Sequence, residues 1–281
     1  MRLALAIALP CLALLLPRTA SAQVAFPPDS AWIPLRCFRA PMSDRVADQS
    51  GAIDERDLVG DAGAPAGLRQ GDETYLYLRL RLEEDPAPGG AIRPFAWGMQ
   101  FDLDGDLSTY ELMVLVDGIG DAAGTVSLLR NTMTTLRGDP ADPADQPAVA
   151  MYPFAMNART QVAPSSFGGD PDFFLDVAVP WSALGTLGLD RETATFVWAG
   201  SSTVATGLNG DLACHDGAGG PGTLDGTASD PTTGDPTLDP DGIGGTGRLE
   251  GGGGCAAGGG SPRAAVIALA LLARRRRRGP R

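Results

Sequence analysis

Carboxylates at alternate positions of a short turn are the first residues here that could do chemistry. Asp102, Asp104 and Asp106 alternate with Leu103 and Gly105, and Glu111 follows five residues later. Alternate oxygens on a Gly-containing turn can converge on a hard cation such as calcium, with Glu111 adding a further carboxylate. The spacing is not that of an EF-hand, because the Gly and Glu positions differ and the flanks read as strands. The same residues serve equally as a metal-free polar hairpin turn, for which Asp104-Gly105 is a good signal. Both readings stand at this level.

Aromatic side chains are the second group. The apolar face of a sugar ring stacks on indole or phenol, which makes Trp97, Trp181, Trp198, Tyr110 and Tyr152 candidate ligand-binding residues. Core packing is the default for a tryptophan in a β-sandwich, and at least two of the three tryptophans are expected there. Catalytic parts are scarce. His215 is the single histidine and there is no lysine, so neither a histidine-based triad nor a Schiff base can be assembled. H-E-x-x-H, G-x-S-x-G and phosphate-binding Gly loops are absent. Some pair among the 34 acidic residues could serve as a glycosidase acid and base, but spacing picks none. A non-catalytic protein is expected, with a secreted glycan hydrolase as the third reading.

The elements that must position these groups read mostly as strands. Leu76, Leu78, Leu80 and Leu82 alternate with Tyr77, Arg79 and Arg81, the pattern of a half-buried antiparallel strand with its polar face outward. Trp97-Met99-Phe101, Tyr110-Leu112-Val114-Val116 and Leu175-Val177-Val179 alternate likewise, and further strands are predicted over 32–38, 124–130 and 194–199. Turns rich in Gly, Pro and Asp separate the runs, as at 85–90 and 104–106. Only 181–184, opened by Pro180, reads as a helical turn. The segment 131–169 is long, Pro-rich and poor in pattern: either a binding loop on a rigid scaffold or a decorative insertion. The fold class is all-β, a single antiparallel β-sandwich of jelly-roll or immunoglobulin-like kind.

Both ends differ from this body. Residues 1–22 carry Arg2, an apolar run from Leu3 to Leu16 and the sequence Ala20-Ser21-Ala22, the order that the secretory machinery and its peptidase read, so a cleavable signal peptide is expected, with the mature chain starting at Gln23. Residues 23–218 form the predicted domain. Residues 219–254 are almost entirely Gly, Asp, Pro, Thr and Ser and read as a disordered, solvated stalk. Residues 255–281 contain Cys255, a short hydrophobic segment from Ala264 to Ala273, and Arg274 to Arg278. An apolar segment stopped by cationic residues is a stop-transfer pattern, although ten residues reach about half the span of a bilayer core.

Nine of the 22 arginines lie in the two terminal segments, so residues 23–254 set 13 arginines against 34 acids, a net charge of −21. That repels nucleic acid and anionic lipid and favours solubility or divalent cations as partners. Setting aside Cys11 and Cys255 leaves Cys37 and Cys214. In an oxidising compartment these are natural disulfide partners, with two buried free thiols the alternative. A metal site on these cysteines is disfavoured, because neither has a Cys or His at ligand spacing except Cys214-His215, and adjacent residues point apart.

Two resemblances follow. The Gly-rich spacer, single Cys255, short apolar segment and terminal arginines resemble the myxobacterial C-terminal sorting signals of the MYXO-CTERM class. This implies recognition by a sorting protease near Cys255, removal of the tail and retention at the cell surface, with the membrane touched only through that tail. The second rests on Asp72-Glu73-Thr74-Tyr75-Leu76-Tyr77-Leu78, Phe101-Asp102-Leu103-Asp104-Gly105-Asp106, Tyr110-Glu111 and Val177-Ala178-Val179-Pro180-Trp181-Ser182-Ala183-Leu184, in that order. Residues 29–206 resemble the superfamily of family-nine carbohydrate-binding modules and DOMON-type domains, which implies a β-sandwich that binds polysaccharide or extracellular matrix. A structural surface protein without a small-molecule ligand is the alternative.

Overall fold

The computed structural model describes residues 23–37, 40–49, 53–191, 193 and 195–214, and the backbone of 249–251; the side chain of Cys37 is outside that set. The predicted signal segment, the arginine tail, His215 and Cys255 lie outside the described residues. The chain is mostly β, with two antiparallel sheets and few helices.

The first sheet has five strands. β1 (Ile33–Pro34) pairs with β4 (Gly67–Gly71), then come β5 (Tyr75–Leu82), β11 (Phe173–Pro180) and β10 (Ala158–Val162). The second runs β3 (Ala40–Pro41), β2 (Arg36–Cys37), β14 (Leu249–Gly251), β12 (Thr195–Ser202), β6 (Ala96–Asp102), β7 (Leu112–Asp117), β8 (Thr125–Arg130) and β9 (Ala150–Pro153). β13 (Asp211–Leu212) also pairs with β12, at Gly200 and Ser201. The helices α1 (Phe154–Asn157) and α2 (Trp181–Leu184) are single turns, α2 at the predicted place. Within the segment read as a stalk, Leu249–Gly251 adds a parallel strand between β12 and β2. It takes up the part of the β12 edge that β13 leaves open.

Alternation places the main core between the sheets. Leu76, Leu78, Leu80 and Leu82 of β5 and Leu175, Val177 and Val179 of β11 meet Trp97, Met99 and Phe101 of β6 and Val114 and Val116 of β7. The arrangement is therefore sandwich-like, and burial of aliphatic and aromatic side chains from both sheets drives it.

The outer faces depart from the expected polar-outward pattern. Tyr77, Arg79 and Arg81 are buried: Phe26 and Trp32 of the N-terminal segment pack on Tyr77, Trp32 covers Arg79, and Phe174, the Pro65 carbonyl and the Ser165 hydroxyl enclose Arg81. Burial of Arg79 is compensated. Its Nε and Nη2 donate to Asp176 at 2.5 and 2.9 Å, and it stacks 4.1 Å from the Trp32 and Phe174 rings. The second sheet's outer face is likewise sealed. Tyr110, Met113, Leu115, Leu129, Trp198, Leu208 and Leu212 form a separate core under the chain around 139–148 and 204–208. Gln100 Nε2 and the Leu208 N–H both donate to the Pro140 carbonyl, and the Tyr110 hydroxyl donates to the Asp142 carbonyl. The segment predicted as a binding or decorative loop thus includes a cover for the core, followed by β9, α1 and β10.

Cys214 is disulfide-bonded, and its N–H donates to the Ser43 carbonyl at 2.9 Å. No helix among the described residues is long and apolar enough to cross a membrane.

Candidate cation site and adjoining cleft

β6 ends on Asp102, and the chain must turn to enter β7. The Asp102 carboxylate shapes that turn: Oδ1 accepts the Asp104 and Gly105 N–H groups at 3.0 and 2.7 Å. Gly105 sits at φ +84°, a left-handed conformation that glycine adopts without a Cβ clash. Asp104 repeats the device on the Asp106 N–H at 2.9 Å. Glu111 reaches back, with Oε2 accepting the Leu103 N–H at 2.7 Å and Oε1 the Thr109 hydroxyl at 3.0 Å.

The outcome is convergence. One carboxylate oxygen each from Asp102, Asp104 and Glu111 lie within 4.8 Å of one another. Two oxygens on one calcium, each at 2.3–2.6 Å, are at most about 5 Å apart, so the three fit a common ion. Asp102 is 1% exposed, and its Oδ2 meets no donor among the described residues. An anionic oxygen buried without a partner is expensive. Burial pushes the Asp102 carboxyl up to about 6, against the pull of the Gly105 and Asp104 N–H groups. Burial also raises Glu111, opposed by the Leu103 N–H and the Thr109 hydroxyl.

Asp106 takes another role. Its Oδ1 accepts the Ser108 hydroxyl at 2.7 Å and its Oδ2 pairs with Arg137, and these contacts hold its carboxyl below the usual range. The structure therefore brings three of the four predicted ligands together and turns the fourth toward an arginine. Beside them opens a cleft of about 540 Å³, whose lining includes Asp104, Asp106, Glu111, Asn131, Thr132 and Arg137. Arg130 borders it and donates to the Thr186 carbonyl at 2.7 Å. Such a lining offers hydrogen bonds and charge, with Leu187 its apolar member.

The predicted aromatic platform does not form. Trp97, Trp198 and Tyr110 are fully buried, and Trp181 is 9% exposed. Trp97 Nε1 donates to the Glu55 carbonyl and Trp181 Nε1 to the Asp72 carbonyl, each at 3.0 Å. Tyr152 is half-buried on β9 and packs on the main core. A sugar needs an open ring face, and the three tryptophans and Tyr110 commit theirs to packing.

A second convergence, of Asp44, Asp48 and Asp211, escaped sequence reading. No spacing rule connects positions 48 and 211, so no signal in the sequence could have found it. No protein-family model, curated protein or solved structure was found that matches this chain.

Proposed function

We propose that the chain is an exported cell-surface protein whose domain is a single jelly-roll or immunoglobulin-like β-sandwich serving as a non-catalytic binding module. Its ligand class is polysaccharide or extracellular matrix, taken up in the polar cleft beside a calcium ion on Asp102, Asp104 and Glu111. The observation that carries this reading is the buried, unpartnered Asp102 oxygen converging with two carboxylates at the cleft edge. A cation there would neutralise the turn and present its open coordination positions to hydroxyl groups. The acidic balance of residues 23–254 favours divalent partners and disfavours nucleic acid. Residues 1–22 would direct export, and the Cys255 tail would be read by a sorting protease.

Pull-down of the full chain on insoluble polysaccharides, in calcium and in EDTA, tests the reading. Retention in calcium that is lost in EDTA, and lost in Asp102→Asn, is expected. Absence of retention on every polysaccharide and matrix preparation would sink it. That outcome would favour a structural surface protein without a small-molecule ligand, which the burial of Trp97, Trp198 and Tyr110 supports.

A further inference from the structure

The acidic cluster at Asp44, Asp48 and Asp211 lies apart in sequence from the 102–111 turn and has its own framework. Asp44 exchanges backbone hydrogen bonds with Gly60, at 2.9 and 3.0 Å. Leu58 bridges to Leu82 of the first sheet, and its N–H donates to Asp211 Oδ2 at 2.7 Å. Asp211 faces Ser201 across the β13–β12 pair of the second sheet. Three chain segments and both sheets therefore meet here.

All three carboxylates are buried, at 3%, 8% and 3% exposure, and one oxygen of each lies within 4.8 Å of the others. Among the described residues Asp44 Oδ1 accepts the Arg45 N–H, at 3.1 Å, and Oδ2 meets no donor. More carboxylates lie close to the group. Asp57 and Glu83 adjoin it, and Arg56 is the described cation that faces Asp211. Asp44 Oδ2 is thus a carboxylate oxygen buried without a donor among the described residues and aimed at two further carboxylates, which is costly without a positive partner.

We infer that a hard divalent cation of the calcium class binds between Asp44, Asp48 and Asp211. Among the described residues the converging donors are all carboxylate oxygens, the ligand type that calcium takes. Bound there, the ion joins the segment after β3 to β13, three residues ahead of the disulfide-bonded Cys214. The site does not depend on the cleft reading, since it shares no residue with it.

Calcium alone, titrated calorimetrically into the full chain and into Asp102→Asn/Glu111→Gln, tests this. The double variant is expected to keep one buried-site equivalent, and Asp44→Asn/Asp211→Asn to lose it. Saturating calcium at a hundred times Kd should raise the double variant's Tm by roughly 5–10 °C over EDTA. Asp44→Asn should melt above the wild type in EDTA, where repulsion is relieved, and below it in calcium. If a variant at the cluster fails to fold, the calcium response of Asp102→Asn/Glu111→Gln decides alone, because it leaves the cluster intact. A double variant that binds no calcium and melts alike in calcium and EDTA overturns the inference. A wild type and double variant that each bind one equivalent uphold it while refuting the cleft site.

Discussion

Arg79 is held by five groups at once: two oxygens of Asp176, Asp29 at 3.0 Å, and the rings of Trp32 and Phe174. Asp176 is itself fully buried and shared with Arg159 at 2.8 Å. Removing one partner of a buried ion pair strands the other, so Arg79→Ala is expected to cost about 3–5 kcal/mol in urea unfolding. Arg137→Ala removes an exposed partner of Asp106 and is expected to leave stability unchanged. Asp142 yields a pH signature. Burial works to raise its carboxyl, but donation from Asn131, from the Thr135 hydroxyl and from the Leu136 and Thr135 N–H groups wins and holds it below the usual carboxylate range. A carboxyl lowered on folding stabilises above the unfolded pKa of about 3.9 and loses that contribution as pH falls through its folded value. The stability deficit of Asp142→Asn should therefore be constant above about pH 5 and shrink in more acid solution; a deficit that persists there would contradict the assignment.

Strands with a leucine or valine at every second position, β5 and β11 above all, were legible because one buried face imposes period two. Their second faces were not. Arg79 and Arg81 read as solvent-facing, yet residues far away in sequence cover them, and alternation carries no record of a cover supplied from elsewhere. The same holds for 139–148, a segment without regular pattern that seals Trp198 and Tyr110 against the second sheet. Packing thus predicts a specific division of effects. Trp198→Ala should cost about 3–5 kcal/mol, and Tyr110→Phe about 1 kcal/mol for its lost hydrogen bond to the Asp142 carbonyl. Neither should alter polysaccharide retention of the folded fraction, whereas a loss of retention at unchanged stability would return these rings to the binding surface.

At the scale of the molecule, charge links both acidic sites to the fold. Residues 23–254 carry 13 arginines against 34 acids, and self-repulsion of that excess opposes the compact state. In EDTA, raising sodium chloride from about 10 to 150 mM should increase Tm by screening, with a Debye length falling from about 30 to 8 Å. If calcium binds as proposed, the gain in calcium should be smaller, because the densest groups are then neutralised; an equal gain in both would argue against bound ions. By itself the sequence determined the acidic balance, the alternating strands, the β6–β7 turn and the convergence candidates within it, all set by neighbours a few residues apart. The tertiary structure decided what long-range contact sets: which aromatic rings are core, that Asp106 turns to Arg137, that both sheet faces are covered, and that Asp44, Asp48 and Asp211 meet. Local periodicity and turn chemistry act over one element, whereas burial and the cost of uncompensated charge are properties of the assembled chain.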